Sequence, residues 1–133
     1  MSERAKKNQG MNWIAPPKRL ALYLRDGLAC CYCGATLEDG CRLTLDHLIP
    51  HSLGGGNDTT NLVTACLICN SSRGARSVKQ FAKKAAAYLN HGITTRQILA
   101  HIRATTRRPF DIAAAKDLIA RRGGFSAALR SQG

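Results

Sequence analysis

The sequence is short of aromatic residues, of acidic residues and of long apolar stretches. Aromatic side chains make up 5% of the 133 residues, and eight Asp and Glu stand against 20 Lys and Arg. No apolar stretch approaches the roughly 20 residues that a membrane-spanning helix needs, and residues 1–10 are polar and basic, unlike a secretory signal. These absences argue against a membrane or secreted protein and predict a cytoplasmic one.

Positive charge is abundant but unevenly distributed. The formal net charge is +12, which predicts a polyanionic partner such as DNA. Residues 1–75 hold eight basic and six acidic side chains, whereas residues 76–133 hold twelve basic and two acidic. We therefore expect the C-terminal part to follow the phosphates of a nucleic acid, and an ordinary solvated basic surface is the alternative.

Helix and strand signals divide the chain into three parts. Prolines that suit a first helical turn and a terminal glycine predict a short helix over residues 16–27. Alternating residues predict strands at 42–45 and 62–64, a helix is expected over 67–73, and two capping boxes begin further helices at Ser77 and Thr94. We therefore predict an α+β fold with a flexible basic N-terminus (1–15), a mixed centre (16–76) and an all-helical basic C-terminal extension (77–133).

The six cysteines are better explained by metal binding than by disulfides, because the protein is expected in a reducing compartment. Two pairs have the C-x-x-C spacing, and two such pairs complete the four-sulfur shell of a structural zinc ion. The 32 residues between the pairs exceed the interval of ~15–20 found in zinc ribbons. The predicted zinc ligands are Cys30, Cys33, Cys66 and Cys69, and Cys31 and Cys41 are expected to be non-ligating thiols.

The segment between the two cysteine pairs carries residues that a zinc fold does not need. It contains Asp46 beside His47, a glycine-rich turn at residues 54–56, and Asn61, while Asn70 directly follows the last cysteine. This pattern, over residues 25–76, resembles the HNH endonucleases. The resemblance implies a small ββα-metal core that is stapled by the zinc site and preceded by a short helix.

The resemblance also implies a role for each matched residue. Asp46 and Asn70 would hold one catalytic divalent cation, Mg²⁺ or another such as Mn²⁺ or Ni²⁺, through the oxygen atoms that hard cations prefer. His47 would be the general base, and Asn61 would hydrogen-bond across the loop and so aim His47. The last motif position is often His in this family, so Asn70 makes the site an H-N-N variant.

The chemistry of these residue types supports the same reaction. Hydrolysis of a phosphodiester needs an activated water, which an imidazole supplies. It also needs stabilisation of the anionic phosphate and the leaving oxygen, which a cation supplies. Auxiliary phosphate contacts are expected from His51, Arg73 and Arg76, whereas His101 in the C-terminal extension is expected to be a surface residue.

The sequence thus predicts a metal-dependent endonuclease that cuts DNA, encoded by a bacterium or a phage. Two other functions stay open. One is a non-catalytic zinc module that binds nucleic acid, and the other is an accessory component of a phage packaging or recombination complex. A homodimer also stays open, since one active site cuts one strand.

Overall fold

The computed structural model describes residues 14–89 and 92–132. Of the predicted flexible N-terminus, residues 1–13 lie outside this part of the chain. No helix within it is both long enough and apolar enough to cross a membrane. Mixed helices and strands confirm the predicted α+β class. The elements are α1 (Pro16–Arg25), β1 (Leu43–His47), β2 (Leu62–Cys66), α2 (Leu67–Arg73), α3 (Val78–Tyr88), α4 (Thr95–Thr105), α5 (Ile112–Arg122) and α6 (Phe125–Arg130).

The two strands form one antiparallel sheet, and α2 returns along it. Leu43 is paired with Cys66 at one end of the sheet, and His47 is paired with Leu62 at the other end. Each strand ends two residues later than predicted, and β1 begins one residue later. The pairing continues through His47 in β1 and through Cys66 in β2. The sheet therefore has a cysteine end and a histidine end, and α2 runs from the first toward the second.

The helices begin where side-chain caps satisfy their free N–H groups. Ser77 and Gln80 form one capping box, and Thr94 and Gln97 form another, as predicted. Two short 3₁₀ turns, at His51–Leu53 and Thr59–Asn61, lie between β1 and β2. The last helix, α6, was not predicted, because it directly follows two glycines and has only six residues.

The C-terminal helices share their cores with the N-terminal part of the chain. Phe81 of α3 meets Tyr32 edge-on, with ring centroids 4.9 Å apart, and this contact belongs to the core around the cysteine end. Ala115 of α5 packs against Leu20 of α1 in a second core. The basic extension is therefore packed onto the sheet and α1 through buried apolar side chains.

A buried carboxylate joins α1, β2 and α4. Asp26 accepts hydrogen bonds from the backbone N–H of Thr64 at 2.8 Å, from the Thr64 hydroxyl at 2.9 Å and from the Thr105 hydroxyl at 3.0 Å. The adjacent Arg25 forms an ion pair with it, with Nε 2.6 Å from Oδ1. Arg25 also donates to the backbone carbonyl oxygens of Thr59 and Leu62. Residues far apart in sequence are thereby tied to the strand that leads into the second cysteine pair.

Candidate active site and zinc centre

The four predicted zinc ligands meet at the cysteine end of the sheet. Cys66 is the last residue of β2, and its sulfur accepts the backbone N–H of Cys69 in the first turn of α2. The four Sγ atoms lie within 4.8 Å of one another. A tetrahedral zinc ion with Zn–S bonds of ~2.3 Å places its sulfurs ~3.8 Å apart, and the Sγ atoms of Cys33 and Cys66 are separated by 3.8 Å. The set of Cys30, Cys33, Cys66 and Cys69 therefore fits a structural zinc ion.

The thiols differ in pKa, but their positions and not their pKa values separate the ligands from the other two cysteines, since burial also raises the pKa of the ligand Cys33 to about 11. Hydrogen bonding with Cys69 lowers the pKa of the Cys30 thiol to about 5, and a thiolate is the form that binds zinc. Burial raises the pKa of the Cys41 thiol to about 11 and that of the Cys31 thiol well above its usual range. Cys31 and Cys41 stand outside the cluster of four, as the sequence predicted.

Asp46, near the histidine end, is buried and already has partners. Its side chain is 7% exposed, and Nη1 of Arg73 lies 2.7 Å from each of its oxygens. The Tyr32 hydroxyl donates to Oδ2 at 3.0 Å. Burial raises the pKa of the Asp46 carboxyl, and the charge of Arg73 and these hydrogen bonds oppose the rise. The carboxylate is therefore held in place by a cationic side chain and a phenol.

His47 is fixed by a chain of contacts that begins on α1. Its Nε2 lies 2.7 Å from Oδ1 of Asn57, and the backbone carbonyl of Asn57 accepts from Nζ of Lys18 at 2.6 Å. An amide oxygen only accepts hydrogen bonds, so Nε2 carries the proton and Nδ1 keeps the lone pair. The half-buried ring thus presents one basic nitrogen.

Asn61 spans the loop that follows His47. Its Oδ1 accepts from the N–H of Ile49 at 2.8 Å, and its Nδ2 donates to the carbonyl oxygens of Ile49 and Gly56 at 3.1 and 2.9 Å. The loop is tight as well, because a Cβ on Gly55 would lie 1.7 Å from the Ile49 carbonyl oxygen. These contacts hold the chain on both sides of the glycine-rich turn.

Asn70 lies between the two ends of the sheet. Its Nδ2 donates to the Thr44 hydroxyl at 2.9 Å and to the Leu45 carbonyl at 3.3 Å. Thr44 and Asp46 are two residues apart on one strand, so their side chains share a face. Asn70 is therefore on the Asp46 side of the sheet. Its Nδ2 is used by these two hydrogen bonds, and its Oδ1 is the amide atom that could bind a cation.

The three residues expected to contact phosphate differ in their surroundings. His51 is exposed in a 3₁₀ turn, and Arg76 is exposed with Nη1 donating to the Ser72 carbonyl at 2.8 Å. Arg73, in contrast, is 3% exposed. Besides Asp46, its guanidinium donates to the carbonyl oxygens of Arg76, His47 and Leu48. In this arrangement Arg73 binds the protein itself, contrary to the expectation that it faces phosphate.

The donor set for a catalytic cation has the right chemistry but is partly engaged. A carboxylate and an amide oxygen are ligands that Mg²⁺ and Mn²⁺ accept. Asp46 and Asn70 provide one of each, whereas the cysteine cluster is the single group of three or more His, Cys, Asp or Glu side chains that could hold a metal among residues 14–89 and 92–132. Arg73 and the Tyr32 hydroxyl bind the oxygens of Asp46 in this arrangement, so a cation at Asp46 would compete with them.

Sequence reasoning missed three contributors to this end of the sheet. Tyr32 lies inside the first cysteine pair, Asn57 follows the glycines, and the pairing of Arg73 with Asp46 joins residues on α2 and β1. Tyr32 and Asn57 stand next to motif residues, which is the one signal that could have found them. The pairing of Arg73 depends on how α2 lies along the sheet, and spacing does not reveal that.

Comparison with known families agrees with this arrangement. Residues 30–86 match the family model of the HNH endonucleases, which confirms the resemblance that the sequence predicted for this part of the chain. The matched segment begins at the first zinc ligand and extends into α3. No curated protein and no solved structure matches the chain.

Proposed function

Because residues 30–86 match the family model of the HNH endonucleases, we propose that the protein is a metal-dependent endonuclease that hydrolyses phosphodiester bonds in DNA. The observation that supports this most is the imidazole of His47. Asn57 holds its Nε2 at 2.7 Å, so Nδ1 is the nitrogen that can accept a proton. An imidazole that is held in place and has one basic nitrogen can act as a general base.

In the proposed reaction, Nδ1 of His47 takes a proton from the attacking water, a contribution of roughly a hundred- to ten-thousand-fold in rate. Asn57 keeps the ring in one orientation, and Asn61 holds the loop on which the ring depends. Asp46 and Asn70 would hold the divalent cation. When bound, that cation supplies stabilisation of the negative charge on the phosphate and on the leaving oxygen.

Substrate binding is assigned to basic side chains outside the site. The exposed cations of the C-terminal helices would contact phosphates, which position the nucleic acid without reading its sequence. These helices pack onto the sheet and α1, so their charges occupy fixed places relative to His47. The exposed side chains include Arg96, Arg103, Arg107, Arg108 and Lys116.

A non-catalytic zinc module that binds nucleic acid is the second candidate. It accounts for the cysteine cluster and the positive charge. It gives no reason for an imidazole held by Asn57 and for a loop held by Asn61. An accessory role in a phage packaging or recombination complex, as a monomer or a dimer, is compatible with either activity.

The decisive experiment is nicking of supercoiled plasmid by the zinc-loaded protein with Mg²⁺, Mn²⁺ or Ni²⁺. We expect cleavage by the wild type and a loss of roughly a hundred- to ten-thousand-fold in the His47→Ala variant. The control is His101→Ala, which removes an exposed histidine of α4 and should leave the rate unchanged.

DNA binding by each protein is measured alongside cleavage. If the wild type and His47→Ala bind DNA equally and neither cuts it with any of the three metals, the endonuclease assignment is wrong and the binding module is correct. Equal cleavage by the two proteins would exclude His47 as the base.

A further inference from the structure

Arg73 is a buried cation that the proposed mechanism does not use. Its Nη1 contacts both oxygens of Asp46 at 2.7 Å, and the carboxylate is the one charged group proposed to hold the catalytic cation. The guanidinium has other acceptors as well. Nε donates to the Arg76 carbonyl at 3.0 Å, Nη1 to the His47 carbonyl at 2.8 Å and Nη2 to the Leu48 carbonyl at 3.0 Å.

Two cations cannot share this carboxylate at low cost. The side chains of Arg73 and Asp46 are 4% and 7% exposed, so charges at this place are weakly screened by solvent. A divalent cation bound to Asp46 would stand next to the guanidinium and be repelled by it. Binding of the cation and contact with Arg73 are therefore opposed.

Displacement of Arg73 is made easier by its backbone acceptors. The three carbonyl oxygens can keep the guanidinium hydrogen-bonded while its contact with the carboxylate is lost. A buried guanidinium without an anion is nevertheless unfavourable. Separating Arg73 from Asp46 therefore costs free energy, and this cost weakens the binding of the cation.

We propose that Arg73 and the catalytic cation compete for Asp46, so that binding of the cation requires the guanidinium to leave the carboxylate. This inference rests on the proposed cation site at Asp46.

The test measures metal binding directly, without nucleic acid. Mn²⁺ is titrated into zinc-loaded wild type and into the Arg73→Gln variant, and free Mn²⁺ is followed by electron paramagnetic resonance. We expect the variant to bind Mn²⁺ about tenfold more tightly. The control is Arg121→Gln, which breaks an arginine–aspartate pair of similar geometry on the surface, Nε to Oδ2 of Asp117 at 2.8 Å, and should leave Mn²⁺ affinity unchanged.

A folded Arg73→Gln protein, with one zinc per chain, that binds Mn²⁺ no more tightly than the wild type overturns the proposal. A second measurement uses the wild type alone, and it decides the matter if the variant does not fold. Mg²⁺ is titrated while the side-chain N–H resonances of Arg73 and Arg25 are followed by nuclear magnetic resonance. We expect the Arg73 signals to shift and those of Arg25, which is paired with Asp26, to stay. Unshifted Arg73 signals at saturating Mg²⁺ contradict the competition.

The result of this test does not depend on whether the protein is an endonuclease. Plasmid cleavage tests the reaction, whereas Mn²⁺ binding tests the competition for Asp46 and needs neither DNA nor turnover. Cleavage without competition would support the endonuclease and contradict this inference. Competition without cleavage would support this inference in a protein that binds metal and does not cut.

Discussion

The two ends of the small sheet differ in how the charges of their side chains are balanced. At the cysteine end, four sulfurs converge within 4.8 Å and a zinc ion is the natural occupant. At the histidine end, the charge of Asp46 is already balanced by Arg73 and by the Tyr32 hydroxyl. The first end needs its metal to be stable, because converging thiolates repel one another. The second end carries its own countercharge, because Arg73 is paired with Asp46.

The largest effect is expected from breaking the cysteine end. The Cys69→Ala variant should lose zinc and its cooperative unfolding transition, because structural zinc contributes on the order of 10 kcal/mol to folding. Zinc content and thermal unfolding by circular dichroism measure this. The Cys41→Ser variant, which alters a thiol outside the cluster, should keep one zinc per chain. A Cys69→Ala protein that unfolds like the wild type would contradict the assignment of the ligands.

A smaller effect is expected from removing the internal cation at the histidine end. Arg73→Gln should lower the free energy of unfolding by about 3–5 kcal/mol at neutral pH, because it leaves Asp46 ionised and buried without its partner. Burial raises the pKa of Asp46, and without Arg73 that pKa should rise further. The protonated carboxyl is then favoured in the folded state, so the deficit relative to wild type should shrink as the pH falls through the raised pKa.

Urea unfolding of the zinc-loaded proteins between pH 7.5 and pH 5 measures that deficit. Arg121→Gln, which removes a partner from an exposed ion pair, should change the free energy of unfolding by less than about 1 kcal/mol at every pH. A deficit for Arg73→Gln that is as small as this control, or that does not change with pH, would mean that the charge of Arg73 does not support the histidine end.

The smallest effect is expected from the glycine-rich turn, and it comes with its own control. Gly55→Ala should lower the free energy of unfolding by about 1–3 kcal/mol, because the new Cβ collides with the backbone of Ile49. Gly56→Ala, whose Cβ meets nothing within 4 Å, should change it by less than about 0.5 kcal/mol. Urea unfolding of both variants checks the difference. Equal effects would show that the loop relaxes without loss.

Local signals in the sequence predicted most of the elements near the site. The cysteine spacing predicted the zinc cluster, residues 67–73 were predicted as the helix that becomes α2, and the capping boxes at Ser77 and Thr94 located the starts of α3 and α4. These features depend on residues within a few positions of one another. A sequence pattern can therefore report them without knowledge of the fold.

The contacts of the site could not be predicted in the same way. Arg73 pairs with Asp46 because α2 runs back along the sheet, and Asn57 reaches His47 because the loop is folded around Asn61. Both depend on the path of the chain in three dimensions. Charge type suggested that Arg73 would bind a phosphate, but charge alone does not tell whether the nearest anion belongs to the substrate or to the protein.

The hydrogen bonds of Asp26 limit where the chain can be truncated without loss of the fold. The family match spans residues 30–86, which leaves out both Asp26 and the Thr105 hydroxyl that binds it. A fragment excised at those limits would strip Thr64 of the acceptor for its N–H and hydroxyl, in the middle of β2. Because α5 and α6 also bury the apolar side chains of α1, a fragment for expression should extend from α1 to α6 and not stop at the limits of the family match.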